Sequence, residues 1–102
     1  MIVPICLMSH NERYYQDMHC KYIKEYVLND RTRIDCLEPK YATEYDFAKK
    51  WAECIGQALY YSIKTNRKPK CAIILRSSKD IKYLNRLKTV ADKYDITIEV
   101  IK

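Results

Sequence analysis

The residues best suited to chemistry lie in one short segment of the chain. Two runs of alternating residues flank Pro39-Lys40, and this pattern predicts a β-hairpin with these two residues as its loop. In that register position 37 faces 42, 35 faces 44 and 33 faces 46, so Asp35 lies opposite Glu44. Like charges that face each other across two strands are destabilising. The pair is therefore predicted to share a bound hard cation.

Two further ionisable residues follow the hairpin. Asp46 lies two residues after Glu44, on the same face of the second strand, and is either a third metal ligand or an ion-pair partner of Arg33. Lys50 follows in the first turns of a helix and either acts in the site or is solvated. Carboxylates and a lysine around one point are the groups that a metal-dependent phosphodiesterase uses.

Hydrophobic periodicity predicts an α/β fold with a mixed four-stranded sheet. Ser9-His-Asn-Glu12 matches a capping box, and the helical spacing of the next apolar residues begins the first element. Cys71–Leu75 is a continuous apolar run, typical of a central strand. The predicted order is α-β-β-α-β-α-β: a helix over 10–28, strands over 31–37 and 41–47, a helix over 47–65, a strand over 71–75, a helix capped by Ser77 or Ser78, and a strand over 96–101.

Length and charge limit the classes of protein. The 102 residues suit one domain, residues 1–102, and no stretch is long enough to span a membrane. The net charge is +6, and residues 64–93 hold ten Lys and Arg against two Asp. This polarity indicates either a phosphate-binding surface or an ordinary solvated one. Residues 1–8 are apolar but lack a basic start and contain Pro4, so they are at most a remnant of a signal peptide.

The five cysteines form no CxxC motif. Cys54 and Cys71 lie in apolar surroundings and are predicted to be small buried hydrophobic residues. Cys20 and Cys36 meet if the first helix packs over the hairpin, as a disulfide in an exported protein or as two thiols in the cytoplasm, the location we favour. Their irregular spacing with the two histidines argues against a zinc site.

The strand acids and the next helix together resemble a known family. The order of elements, with an acid on each of two strands and Gln57-Ala-Leu-Tyr-Tyr61 on the helix, resembles the PD-(D/E)xK, or restriction-endonuclease-like, nuclease superfamily. The resemblance covers roughly residues 12–76 and is closest to a group of small uncharacterised bacterial proteins. It implies a three-layer α/β/α fold.

The resemblance also implies roles for individual residues. Asp35 and Glu44 match the acids that hold Mg²⁺ or Mn²⁺, and Glu12 matches an acid that completes the metal shell or is only a helix cap. Position 46 holds Asp where the superfamily has Lys, and Lys50 is the candidate replacement. Gln57 and Tyr61 match the Gln-x-x-x-Tyr element of the helicase-linked nucleases, which shapes the site and contacts the substrate.

Two functions are consistent with this sequence. The favoured one is a magnesium-dependent nuclease that hydrolyses DNA phosphodiester bonds, with a homodimer as one way to enclose a duplex. The alternative is a catalytically inactive module of the same fold that binds nucleic acid or a protein, and Asp46 in the place of a lysine favours it. For the nuclease, the residues predicted to bind the nucleic-acid backbone are basic residues of the third helix, Lys79, Lys82 and Arg86, and those of the stretch 64–70.

Overall fold

Five strands form one mixed sheet in the order β1-β2-β3-β4-β5. The computed structural model describes residues 10–102. The first three strands pair antiparallel, and β3, β4 and β5 pair parallel. The sheet therefore has one strand more than predicted, and the apolar segment 1–8 lies outside the described residues. The elements are α1 (Glu12–His19), β1 (Ile23–Val27), β2 (Arg33–Leu37), β3 (Tyr41–Phe47), α2 (Trp51–Thr65), β4 (Lys68–Ile74), α3 (Ile81–Tyr94) and β5 (Thr97–Ile101), with 3-10 turns at Ala48–Lys50 and Ser78–Asp80.

The extra strand lies where the sequence predicted the second half of a long helix. The helix over 10–28 is wrong beyond His19, because Ile23–Val27 pairs antiparallel with β2. Tyr22 and Tyr26 are four residues apart, and that spacing puts two side chains on one face of a strand as well as on one face of a helix. The spacing of these tyrosines therefore could not separate the two structures.

The start of α1 also differs from the predicted capping box. Asn11 caps the helix, accepting a hydrogen bond from the Tyr14 backbone N–H at 3.0 Å. The carboxylate of Glu12 instead accepts from the backbone N–H of Phe47, on β3, at 3.0 Å. Glu12 therefore links α1 to the end of the strand that carries Glu44 and Asp46.

Helices cover both faces of the sheet. On one face, Tyr15 of α1 packs with Tyr45, Ala72 and Ile74. On the other face, α2 and α3 pack over Cys71 and Ile73 in a second core cluster. Successive residues of β4 alternate between these clusters, as a strand covered on both sides requires. The prediction of a central strand there is confirmed. Within residues 10–102 no helix combines the length and the apolar character needed to cross a membrane.

The four cysteines among residues 10–102 divide into two groups. Cys20, just after α1, forms a disulfide with Cys36 of β2, with the two Cα atoms 5.9 Å apart. Cys54 and Cys71 are free and buried, as predicted for small hydrophobic residues. The disulfide joins the end of α1 to the residue directly after Asp35.

Candidate functional site

The hairpin of β2 and β3 has the predicted register next to its loop, but the pairing does not extend to Arg33 and Asp46, and Arg33 forms its ion pair with Glu25. Leu37 pairs with Ala42, and the backbone N–H of Glu38 donates to the carbonyl of Tyr41 at 2.8 Å, so Pro39-Lys40 is the loop. The loop length fixes which residues of the two strands face each other. Asp35 and Glu44 are the next residues along the two strands, and a hydrogen bond joins them.

Beyond Cys36 and Thr43 the two strands are joined by carboxylates. The backbone N–H of Asp35 donates to Oε2 of Glu44 at 2.9 Å, and the backbone N–H of Tyr45 donates to Oδ2 of Asp35 at 2.9 Å. Hydrogen bonds to an ionised carboxylate, such as that of Asp35 at neutral pH, are stronger than those between neutral groups. The acids therefore replace strand pairing, and each bond occupies one oxygen of its carboxylate.

The alternation of side chains along β2 breaks at the same point. Ile34 and Cys36 would face one way in a regular strand, but they lie in different core clusters, Ile34 with Tyr61 and Cys36 with Cys20. On the neighbouring strand, Glu25 has a φ of 52°, a conformation that costs a residue other than glycine energy. The regular strand geometry is therefore lost around Asp35 on both sides.

A polar pocket of about 290 Å³ opens at this break. Five elements contribute to it, because α1, β1, β2, β3 and the first half of α2 converge there, together with the 3-10 turn that carries Lys50. Its lining is polar, with six acids and two bases. The lining residues are Glu12, Glu25, Arg33, Asp35, Glu44, Tyr45, Asp46, Lys50, Glu53 and Gln57.

Three of the acids are held in surroundings that disfavour their charge. Burial raises the pKa of Asp35 to about 6, against the opposing effect of the Tyr45 N–H. Burial, followed by the charge of Asp35, raises the pKa of Glu44 to about 9. Burial, followed by the charge of Glu12, raises the pKa of Asp46 to about 7. A cation among these groups would favour their ionised forms.

Asp46 carries the strongest indication of a missing partner. Asp46 is 6% exposed, and its buried Oδ2 atom has no hydrogen-bond partner among residues 10–102. Buried polar atoms are almost always paired, so an unpaired carboxylate oxygen at a pocket points to a ligand. Carboxylate oxygens are the atoms that Mg²⁺ and Mn²⁺ prefer. The donor chemistry of the pocket therefore fits a hard divalent cation.

The carboxylates do not converge on a single point. Among residues 10–102 no three His, Cys, Asp or Glu side chains are arranged so that they could hold a metal ion. The bonds described above explain this, since Asp35 and Glu44 each point one oxygen at the opposite strand. Cation binding at this pocket would require side-chain rearrangement.

Lys50 and Glu12 are brought together at the pocket as predicted. The Nζ atom of Lys50 lies 3.3 Å from Oε2 of Glu12 and donates to its Oε1 at 3.4 Å. The Glu12 charge raises the pKa of Lys50. Because Glu12 also accepts from the N–H of Phe47, it fixes the lysine beside the end of β3.

The other predicted residues divide into two groups. Gln57 lines the pocket, whereas Tyr61 is buried beneath it in the cluster of Ile34, Leu37 and Ala42. The predicted backbone-binding residues of the third helix do not line it; two of them, Lys82 and Arg86, lie over the Tyr83 ring.

Three acidic or amide side chains around the pocket were not predicted as site residues. Glu25 and Gln16 fell inside the helix that was wrongly extended, so nothing directed them toward Asp35. Glu53 was not singled out, although it lies one turn after Lys50 on α2. The regular four-residue spacing of Glu53 and Gln57 was the available signal, since such residues share one helix face.

Comparison with known proteins yields little. No protein-family model and no solved structure matches this chain. It resembles R878 of Acanthamoeba polyphaga mimivirus, which is named as a KilA-N domain-containing protein, with 38% identity over 68 residues. The match covers 66% of this chain and 18% of the mimivirus protein, so the chain spans less than a fifth of that relative.

Proposed function

We propose that this protein is a metal-dependent nuclease that acts on DNA. The observation that carries the proposal is the buried, unpaired Oδ2 atom of Asp46 beside Asp35 and Glu44. Three buried acids with raised pKa values are costly to a fold, and a bound cation is the simplest function that uses them. The resemblance to the PD-(D/E)xK superfamily supports the same assignment.

Residues of the pocket would bind the cation and stabilise charge on the phosphate. Asp35, Glu44 and Asp46 would hold the cation, losing the protons that their raised pKa values retain. When bound, Mg²⁺ or Mn²⁺ lowers the pKa of a coordinated water and neutralises charge on a phosphate. Lys50, held by Glu12, would place its positive charge beside the phosphate as negative charge develops there.

DNA is the proposed partner for two reasons. The chain has a net charge of +6, and its basic residues are concentrated in residues 64–93. The mimivirus relative is named for KilA-N, a DNA-binding domain, although the match covers 18% of that protein and its name does not say which part is the domain.

A second candidate is a catalytically inactive module that binds nucleic acid or a protein. Two observations favour it. Asp46 occupies the position of the superfamily's lysine, and the acids among residues 10–102 are not arranged to hold a metal ion. Under this alternative Asp35 and Glu44 act only as the side-chain bridges between β2 and β3.

Titration calorimetry with Mn²⁺, together with cleavage of a plasmid in Mg²⁺, tests the proposal. We expect wild-type protein to bind Mn²⁺ and cleave, and Asp35→Asn to lower cleavage at least about 100-fold while retaining DNA binding. Asp92→Asn, on the exposed side of α3, is the matched control and should behave as wild type. Absence of Mn²⁺ binding at millimolar concentration, or full cleavage by Asp35→Asn, would contradict the nuclease and favour the inactive module.

A further inference from the structure

We propose that Arg13 and Arg33 form a phosphate-binding pair at the mouth of the acidic pocket. This inference rests on the proposed function and extends it to the contact with the nucleic-acid backbone. Nη1 of Arg13 lies 3.5 Å from Oε1 of Glu25, and Nη1 of Arg33 lies 3.9 Å from the same oxygen. Arg33 also lines the pocket. Oε1 of Glu25 thus holds two guanidinium groups close to each other beside Asp35.

Glu25 is itself held in a fixed position. Its backbone adopts a φ of 52° in the middle of β1, and its Oε2 atom accepts a hydrogen bond from Nε2 of Gln16 at 3.1 Å. The same Gln16 nitrogen donates to the carbonyl of Asp35 at 2.9 Å, and Gln16 is 3% exposed. A strained residue persists only where its surroundings hold it. The arginine pair is therefore positioned relative to Asp35 through buried Gln16.

Both guanidinium groups are available to a ligand. The side chains of Arg13 and Arg33 are 60% and 63% exposed. Exposed ion pairs contribute little to stability, so each guanidinium can exchange Glu25 for another anion at small cost. The planar guanidinium fork matches the oxygens of a phosphate. Glu25 is already paired with both arginines and Gln16, which makes it a positioning residue and not a metal ligand.

The acidic pocket needs positive charge near it if a phosphate is to bind. Six acids line the pocket against two bases, so a phosphate approaching it meets mainly negative groups. Lys79, in the 3-10 turn before α3, and Lys82 and Arg86 of α3 were predicted to bind the backbone, and none of them is among the described lining residues. Arg33 and Lys50 are the basic side chains at the pocket itself. Arg13 and Arg33 thus supply positive charge on the side formed by α1 and β2.

Fluorescence anisotropy tests this pair separately from catalysis. The probes are a labelled single-stranded DNA oligonucleotide of mixed sequence and its duplex, in millimolar Ca²⁺ over a range of salt concentrations. Arg13→Gln and Arg33→Gln should each weaken binding roughly three- to tenfold. Each should also lower the slope of log affinity against log salt by about 0.7 for the single strand or about 0.9 for the duplex. Arg31→Gln, an exposed arginine outside the pocket, is the matched control and should leave both unchanged.

The outcomes separate this inference from the proposed function. Equal losses of DNA affinity for Arg31→Gln and Arg33→Gln would mean that only net charge matters, which would overturn the proposed pair. Unchanged DNA affinity in the double variant Arg13→Gln/Arg33→Gln would overturn it as well. The double variant should still bind Mn²⁺ in calorimetry, because neither arginine holds the cation. Wild-type protein that binds DNA through this pair but never binds Mn²⁺ would refute the nuclease and leave the arginine pair standing.

Discussion

Replacing Glu44 with Gln is expected to stabilise the metal-free protein at neutral pH. Glu44 is 3% exposed, and burial together with the nearby Asp35 charge raises its pKa to about 9 from an ordinary value of 4.5. A glutamine keeps a side-chain oxygen for the Asp35 N–H, which now donates to Oε2 of Glu44. It carries no charge to be buried. The substitution therefore removes the electrostatic cost and retains the bridge between the strands.

The sign and size of the effect follow from proton linkage. Because the folded pKa of Glu44 is raised, the folded chain binds more protons than the unfolded chain between pH 4.5 and about 9. The contribution of Glu44 to the free energy of unfolding is therefore fully present below about pH 4. It is lost as the pH rises toward 9. At pH 7 the carboxyl must take up a proton on folding, which costs about 3 kcal/mol at about 1.4 kcal/mol per pH unit. Glu44→Gln should recover about 2 to 3 kcal/mol, a rise in Tm on the order of 10 °C.

Urea and thermal melts at pH 4.5 and pH 8 measure this difference. Glu44→Gln should resemble wild type at the lower pH and exceed it at the higher one. Glu99→Gln, which sits outside the pocket, is the control for loss of an acid. Saturating Mn²⁺ should offset most of this difference, since a ligand at 100 times its Kd adds about 2.7 kcal/mol to wild type alone. Wild-type stability that rises from pH 5 to 8 without metal would refute the reasoning.

Three other changes test neighbouring contacts. Asp46→Asn should leave the fold intact and weaken Mn²⁺ binding in calorimetry by at least about tenfold, because it removes the unpaired carboxylate; unchanged affinity would exclude Asp46 as a ligand. Reducing the Cys20–Cys36 disulfide should lower stability by about 3 kcal/mol in urea melts, given its sequence separation of 16, and a Cys20→Ala/Cys36→Ala variant should not respond to reductant. Gln16→Ala should cost about 2 kcal/mol in the same melts by leaving the Asp35 carbonyl unpaired; a neutral result would show that water replaces the amide.

Local signals were sufficient for the hairpin and for the second half of the chain. A two-residue loop at Pro39-Lys40 fixes the pairing of Leu37 with Ala42, which is confirmed. The apolar run at Cys71 predicted a central strand because only a strand buried on both faces lacks polar positions, and β4 pairs on both sides. The side chain of Ser77 caps the turn that leads into α3, accepting from the N–H of Lys79. These features depend on residues that are close in sequence.

The features that were missed depend on contacts between distant residues. Tyr22 and Tyr26 have a spacing that suits a helix or a strand, and pairing of β1 with β2 decides between them. The break at Asp35 depends on which backbone N–H groups its carboxylate can reach, and those belong to β3. Glu25 takes its φ of 52° where β1 passes this break. No local pattern in the sequence encodes such a site, so its arginine pair could not be predicted.

The break at Asp35 couples the proposed metal site to the fold. Without a cation, the carboxylates of Asp35 and Glu44 complete the pairing of β2 with β3 by accepting from backbone N–H groups. A cation bound between them would compete for the same carboxylates, so its binding must either use their remaining oxygens or displace these strand contacts. In the first case amide hydrogen exchange at Asp35 and Tyr45 should slow when Mn²⁺ binds, and in the second it should accelerate. Either change would show that the acids serve both the sheet and the ion, whereas exchange unaffected by saturating Mn²⁺ would separate the two roles.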